Sequence, residues 1–128
     1  MYAWLDQRGL DLAELLVAKD AAGADVEVVL GASTGPLVRE VLEGTGVELH
    51  PGVFEDGEDV HHKLTLVSHP TSDGGRTRWV LTGSDNFTMR SLDRPEVLLR
   101  LDGDRGDTYE RYDRWVDALV ARGERERD

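Results

Sequence analysis

The 128-residue chain has no cysteine. Disulfides, thiolate catalysis and zinc sites with sulfur ligands are therefore excluded, although the compartment is not fixed by this. No apolar run approaches the ~20 residues needed to cross a bilayer, so no transmembrane segment is expected. Met1-Tyr2-Ala3-Trp4-Leu5-Asp6 has neither a basic leader nor an apolar core, so no cleavable signal peptide is expected. Positive charge is scarce: 15 basic residues face 26 acidic ones, a formal net charge of −11. Such a chain repels nucleic acid and anionic membranes at long range, while a local basic pocket stays compatible with it. The histidines show no spaced ligand set with carboxylates on one face, so no metal or other cofactor is expected. There is no internal repeat and no linker. The length is that of one ordinary domain.

What is present reads as alternating helices and strands. Asp11 with Glu14 resembles a capping box, and Leu12, Leu15 and Leu16 follow at helical spacing up to a stop at Gly23. Asp25 to Leu30 reads as a strand with a polar entry and an apolar exit. Gly31 to Gly35 is a turn that lacks the lysine of a P-loop and reads as a connector. Pro36 opens a helix with Leu37, Val38, Val41 and Leu42 on its buried face, ending at Gly44. Val47 to Leu49 is a short strand, and Pro51 to Asp59 an acidic loop. Strands are expected over His61–Ser68, Arg76–Leu81 and Glu96–Leu101, with Pro70 to Gly75 turning the first into the second. Asp107 with Glu110 starts a last helix, which Gly123 closes before a charged, frayed tail over 124–128. The order implies one α/β domain over 1–123, with helices packed on a mixed central sheet.

Two short motifs carry chemistry. His61-His62-Lys63 heads a strand, so His61, Lys63 and Thr65 share one face, while His62, Leu64 and Leu66 share the other. The second face suits a core. The first sets an imidazole beside an ammonium, which suits an anion. Imidazole is a nucleophile near neutral pH. The lysine offers three donors and a fixed charge to phosphate oxygens, which lowers the barrier to attack on a phosphodiester. Gly83-Ser84-Asp85-Asn86 follows the next strand and adds a hydroxyl, an amide and a glycine that lets backbone approach closely. Alone, His-x-Lys is a chance pairing and Gly-Ser-x-Asn an ordinary turn. Together, at two strand ends, they present four side chains to one point. Among the remaining residues, His62 packs or caps on the far face, His50 and His69 read as loop histidines, with lining of the pocket rim the alternative for His69, and Asp85 reads as exposed. Trp79 and Trp115 read as core. Trp4 reads either as packing or as lying near the site mouth. Arg90 either bonds within its loop or reaches the substrate.

His61-x-Lys63, Gly83-Ser84-x-Asn86, Arg90-Ser91 and Glu96, in this order, resemble the catalytic motif of the phospholipase D superfamily. The resemblance spans the chain from its first helix to the Glu96 strand. It implies an α-β-α sandwich and a metal-independent phosphodiesterase or phosphatidyltransferase. It implies that His61 attacks phosphorus to form a phosphohistidine, or serves as the acid if the partner histidine attacks, that Lys63, Asn86 and Ser84 bind phosphate, and that Glu96 orients His61. Ser68 stands where the family motif has an aspartate, seven residues beyond the histidine. Only one motif is present, whereas the chemistry needs two histidines. The resemblance therefore implies a homodimer about a two-fold axis, or a pairing with an N-terminal half-domain. Met1 to Leu5 looks like the end of the strand that normally precedes the first helix. The net charge favours a phospholipid or another small phosphodiester over nucleic acid as the substrate. The alternative is a non-catalytic half-domain that completes a larger protein or binds a phosphorylated ligand.

Overall fold

The computed structural model describes residues 3–127. Its order is β1 (Ala3–Trp4), α1 (Asp6–Ala21), β2 (Glu27–Leu30), β3 (Ser33–Thr34), α2 (Pro36–Leu42), β4 (Glu48–Pro51), β5 (Leu64–Pro70), β6 (Arg76–Gly83), α3 (Met89–Leu92), β7 (Leu98–Asp102) and α4 (Thr108–Arg125). This is an α/β architecture. In place of one continuous central sheet, the strands form a parallel β1-β3 pair, a parallel β2-β4 pair and an antiparallel β5-β6-β7 sheet. The break between β2 and β3 falls in the Gly31–Gly35 turn. Phe87, just beyond β6, bridges to Trp4 and so joins the antiparallel sheet to β1.

The core lies under α1 and α2. Trp4, Ala13, Val28, Leu30, Val38, Leu42 and Val47 form one buried cluster. Trp4 is a packing residue: only 1% of it is exposed, its indole N–H donates to the Gly9 carbonyl, and its ring meets Phe87 edge-on. Burying a side chain of this size contributes on the order of 3 kcal/mol.

Several expectations need correction. Helix α1 begins at Asp6, not Asp11, with Leu5 at the N-cap position, and in its first turn the Asp6 carboxylate accepts the Arg8 N–H (3.2 Å). Asp11 lies within the helix and accepts from Gln7. Gly123 does not end α4, which runs on to Arg125. A Cβ at Gly123 would stand 2.8 Å from Pro51 Cγ, so glycine here lets the helix press on β4. Glu126 is tied rather than frayed, since its carboxylate accepts the Glu55 N–H at 2.7 Å. Arg122 stacks on Phe54 and pairs with Asp56 and Glu58, which pins the acidic loop to α4. His50 is not a loop residue: it is buried in β4, 3.0 Å from Glu27 at ion-pair distance but without hydrogen-bond geometry. His69 lies within β5, its ring edge-on to half-buried Trp79. Half-buried Trp115 packs against His62. Among the described residues no helix is long and apolar enough to cross a membrane.

Candidate functional site

Strand pairing decides where the motifs go. β5 and β7 both run antiparallel to β6, with Leu64 opposite Thr82 and Leu98 opposite Gly83. The start of β5, the end of β6 and the start of β7 therefore share one end of the sheet. Lys63 and His61 precede β5 there, Ser84 and Asn86 follow β6, and Glu96 precedes β7. The expected strand over 61–68 thus starts three residues later, at Leu64, and the His-x-Lys motif stands on the lead-in. The Glu96 strand likewise begins at Leu98.

Lys63 turns back on its own motif. Its Nζ lies 3.1 Å from His61 Nδ1 and donates to the His61 carbonyl at 2.9 Å. An ammonium has no acceptor, so a neutral His61 accepts at Nδ1 and carries its hydrogen on Nε2. Burial lowers the Lys63 pKa, and the negative charges of Glu96 and Asp59 act against that shift. Lys63 and Glu96 thus sense each other across the end of the sheet. Burial likewise lowers the pKa of His62, with the positive charges of His61 and Lys63 adding to it.

Gly83 and Ser84 knit β6 to β7. A Cβ on Gly83 would collide with the Val97 carbonyl, so only glycine fits. Ser84 N–H donates to the Val97 carbonyl (2.9 Å) and its Oγ accepts the Val97 N–H (3.0 Å). The Ser84 hydroxyl hydrogen goes to the Glu96 carboxylate. The hydroxyl expected to donate to phosphate is therefore occupied by the carboxylate expected to orient His61.

Asn86 is held by its carbonyl end. Its Oδ1 accepts the Ala3 N–H at 3.3 Å, so its donor hydrogens are those of Nδ2. Its own N–H donates to Ser91 Oγ (3.2 Å), and Ser91 is buried beside Thr88, the α3 cap. Ser91 is thus a structural member of the motif. Ser68 accepts from Arg76 Nε at 2.9 Å, a cross-strand contact within the β5–β6 hairpin.

Sequence reasoning missed the clamp behind Asn86. Arg8 donates to both carboxylate oxygens of Asp85, at 2.9 and 2.8 Å, and also to the carbonyls of Asn86 (2.8 Å) and Thr88 (3.2 Å). Asp85 was expected to be exposed, but its side chain is only 13% so. The hydrogen bond from Arg8 holds its carboxyl below the usual range. Asp6 accepts the Met89 N–H as well. The partners lie 77 residues apart, and no local pattern marks them.

Two clefts among the described residues lie away from this end. One is lined by Pro51, Phe54 and Gly123, the other by Trp79, Arg100 and Asp104. No protein-family model, curated protein or solved structure matches the chain.

Proposed function

We propose that the chain is one half of a phospholipase D-type phosphodiesterase site on a phospholipase D-like α-β-α half-domain. The observation that carries the reading is the convergence of His61-x-Lys63 and Gly83-Ser84-x-Asn86 at one end of a single antiparallel sheet. A histidine, a half-buried lysine and an amide whose oxygen is already engaged suit a phosphate monoanion.

In this reading the phosphate oxygens draw Lys63 from His61 Nδ1 and accept from Asn86 Nδ2. The imidazole hydrogen then moves to Nδ1, where Glu96 takes it in exchange for Ser84. Nε2 attacks phosphorus, the ester P–O bond breaks, and the leaving oxygen takes a proton from a second histidine. Water then attacks the phosphohistidine, returns a proton to that histidine and frees His61. The second histidine comes from another copy or another half-domain, because one His-x-Lys motif supplies only one group at the phosphorus. The net charge of −11 favours a phospholipid or small phosphodiester over nucleic acid.

The test is hydrolysis of a chromogenic phosphodiester and of phosphatidylcholine by the purified chain, in chelator, beside His61→Ala. Turnover lost in the variant supports the reading. Equal turnover by both proteins would assign the activity elsewhere.

A further inference from the structure

Exposed apolar side chains concentrate beside the sheet edge. Met89, Leu92, Val97, Leu98 and Leu99 all stand out, with Val97 and Leu98 exposed by 58% and 60%. The strand order β5-β6-β7 leaves β7 at an edge. Val97 O accepts from Ser84 N, and Gly103 N donates to Arg78 O, so the main chain of these odd-numbered residues faces β6. By alternation, the N–H and C=O groups of Leu98, Arg100 and Asp102 face outward. An exposed edge of this kind is a template for another strand.

We infer that β7 pairs with β7 of a second copy of this chain, antiparallel about a two-fold axis through Leu98. The choice of partner rests on complementarity. In that register Leu98 meets Leu98, Val97 meets Leu99, and Glu96 meets Arg100, each twice by symmetry. The outward-facing main-chain groups of Leu98 and Arg100 fall on the bonded positions of the new ladder. Shifting the axis to Leu99 sets Glu96 against Asp102 and Leu98 against Arg100. Shifting it to Arg100 sets that arginine against itself. Only the Leu98 register matches both charge and apolarity, and like charges directly opposed penalise the others. Asp102 keeps its own chain's Arg105 at 3.2 Å, outside the central pairs.

This contact shares Glu96 with the proposed chemistry but does not bring the two copies' motifs together. It produces the order β5-β6-β7-β7-β6-β5, in which Lys63 of each copy lies five strand spacings, about 24 Å, from its counterpart. That is too far for two histidines to share one phosphorus, so the second motif is supplied through a different contact.

The test is the solution mass of the full chain by light scattering, with circular dichroism to confirm folding. The wild type is expected at twice its 14.2 kDa chain mass. Arg100→Glu, which sets two acids against each other, is expected to weaken the dimer about tenfold or more. The double variant Glu96→Arg/Arg100→Glu restores the pairing, and Leu98→Glu gives a folded monomer. A wild-type monomer at tens of micromolar overturns the inference, as does a dimer indifferent to Leu98→Glu. A monomer that binds anionic vesicles through Leu98 would overturn it in favour of a lipid surface. Activity is not read in any of these arms, so they stand apart from the hydrolysis test.

Discussion

Lys63 Nζ sits 3.1 Å from Nδ1 of His61, so the free site holds its imidazole as the Nε2–H tautomer. Ring nitrogen shifts from long-range proton–nitrogen correlation report this directly. Neutral His61 is expected to show a protonated Nε2 and an accepting Nδ1. Lys63→Met removes the donor and should let both tautomers appear.

Burial pulls the Lys63 pKa below the usual lysine value, against the opposing pull of Glu96 and Asp59. A folded-state pKa below the unfolded one means that the unfolded chain binds the proton more tightly. Stability from this group therefore rises as pH climbs through the folded pKa toward ~10.4. Glu96→Gln removes a charge that favours the ammonium, so the Lys63 pKa should fall further. A side-chain nitrogen titration measures it, and a rise would contradict the assigned balance.

Arg8 and Asp85 give a pH dependence of the same direction in the acid range. The Arg8 hydrogen bond holds the Asp85 pKa down, so the pair stabilises the fold above the ordinary aspartate value of ~3.9. That contribution is lost as pH falls through the folded pKa. Arg8→Met should cost about 2 kcal/mol at pH 7 by urea unfolding. The gap to wild type should narrow as pH falls through the folded-state pKa and Asp85 takes up its proton.

The β6–β7 seam gives a stability contrast. Gly83→Ala drives a Cβ into the Val97 carbonyl and should cost ~2 kcal/mol or more. Ser84→Ala strands the Val97 N–H and removes the donor to Glu96, and on this exposed surface should cost only ~1 kcal/mol. Urea midpoints of the two variants rank them.

How much of this was legible in the sequence depended on range. Gly83 and the turn chemistry after it are local, and they placed Ser84 and Asn86 correctly at the end of β6. The antiparallel hairpin at Pro70–Gly75 followed from its turn residues, and with it the approach of Lys63 to Ser84. The strand starts were less legible: His61 and Lys63 alternate like strand residues, yet Lys63 folds back on His61 and pairing begins at Leu64. Long-range contacts left no mark at all. Arg8 on Asp85, Pro51 under Gly123 and Glu27 beside His50 depend on elements meeting in space. Glycine before a charged tail reads as a stop whether it ends a helix or lets one press on a strand.

The most direct measurement is to mix the chain with a phosphodiester, quench in alkali where phosphohistidine persists, and map adducts by mass spectrometry. A phosphoryl-type adduct on the peptide holding His61, lost in His61→Ala, is the expected result. Turnover with no adduct at His61, or an adduct on another residue, would contradict the assignment of His61 as the nucleophile.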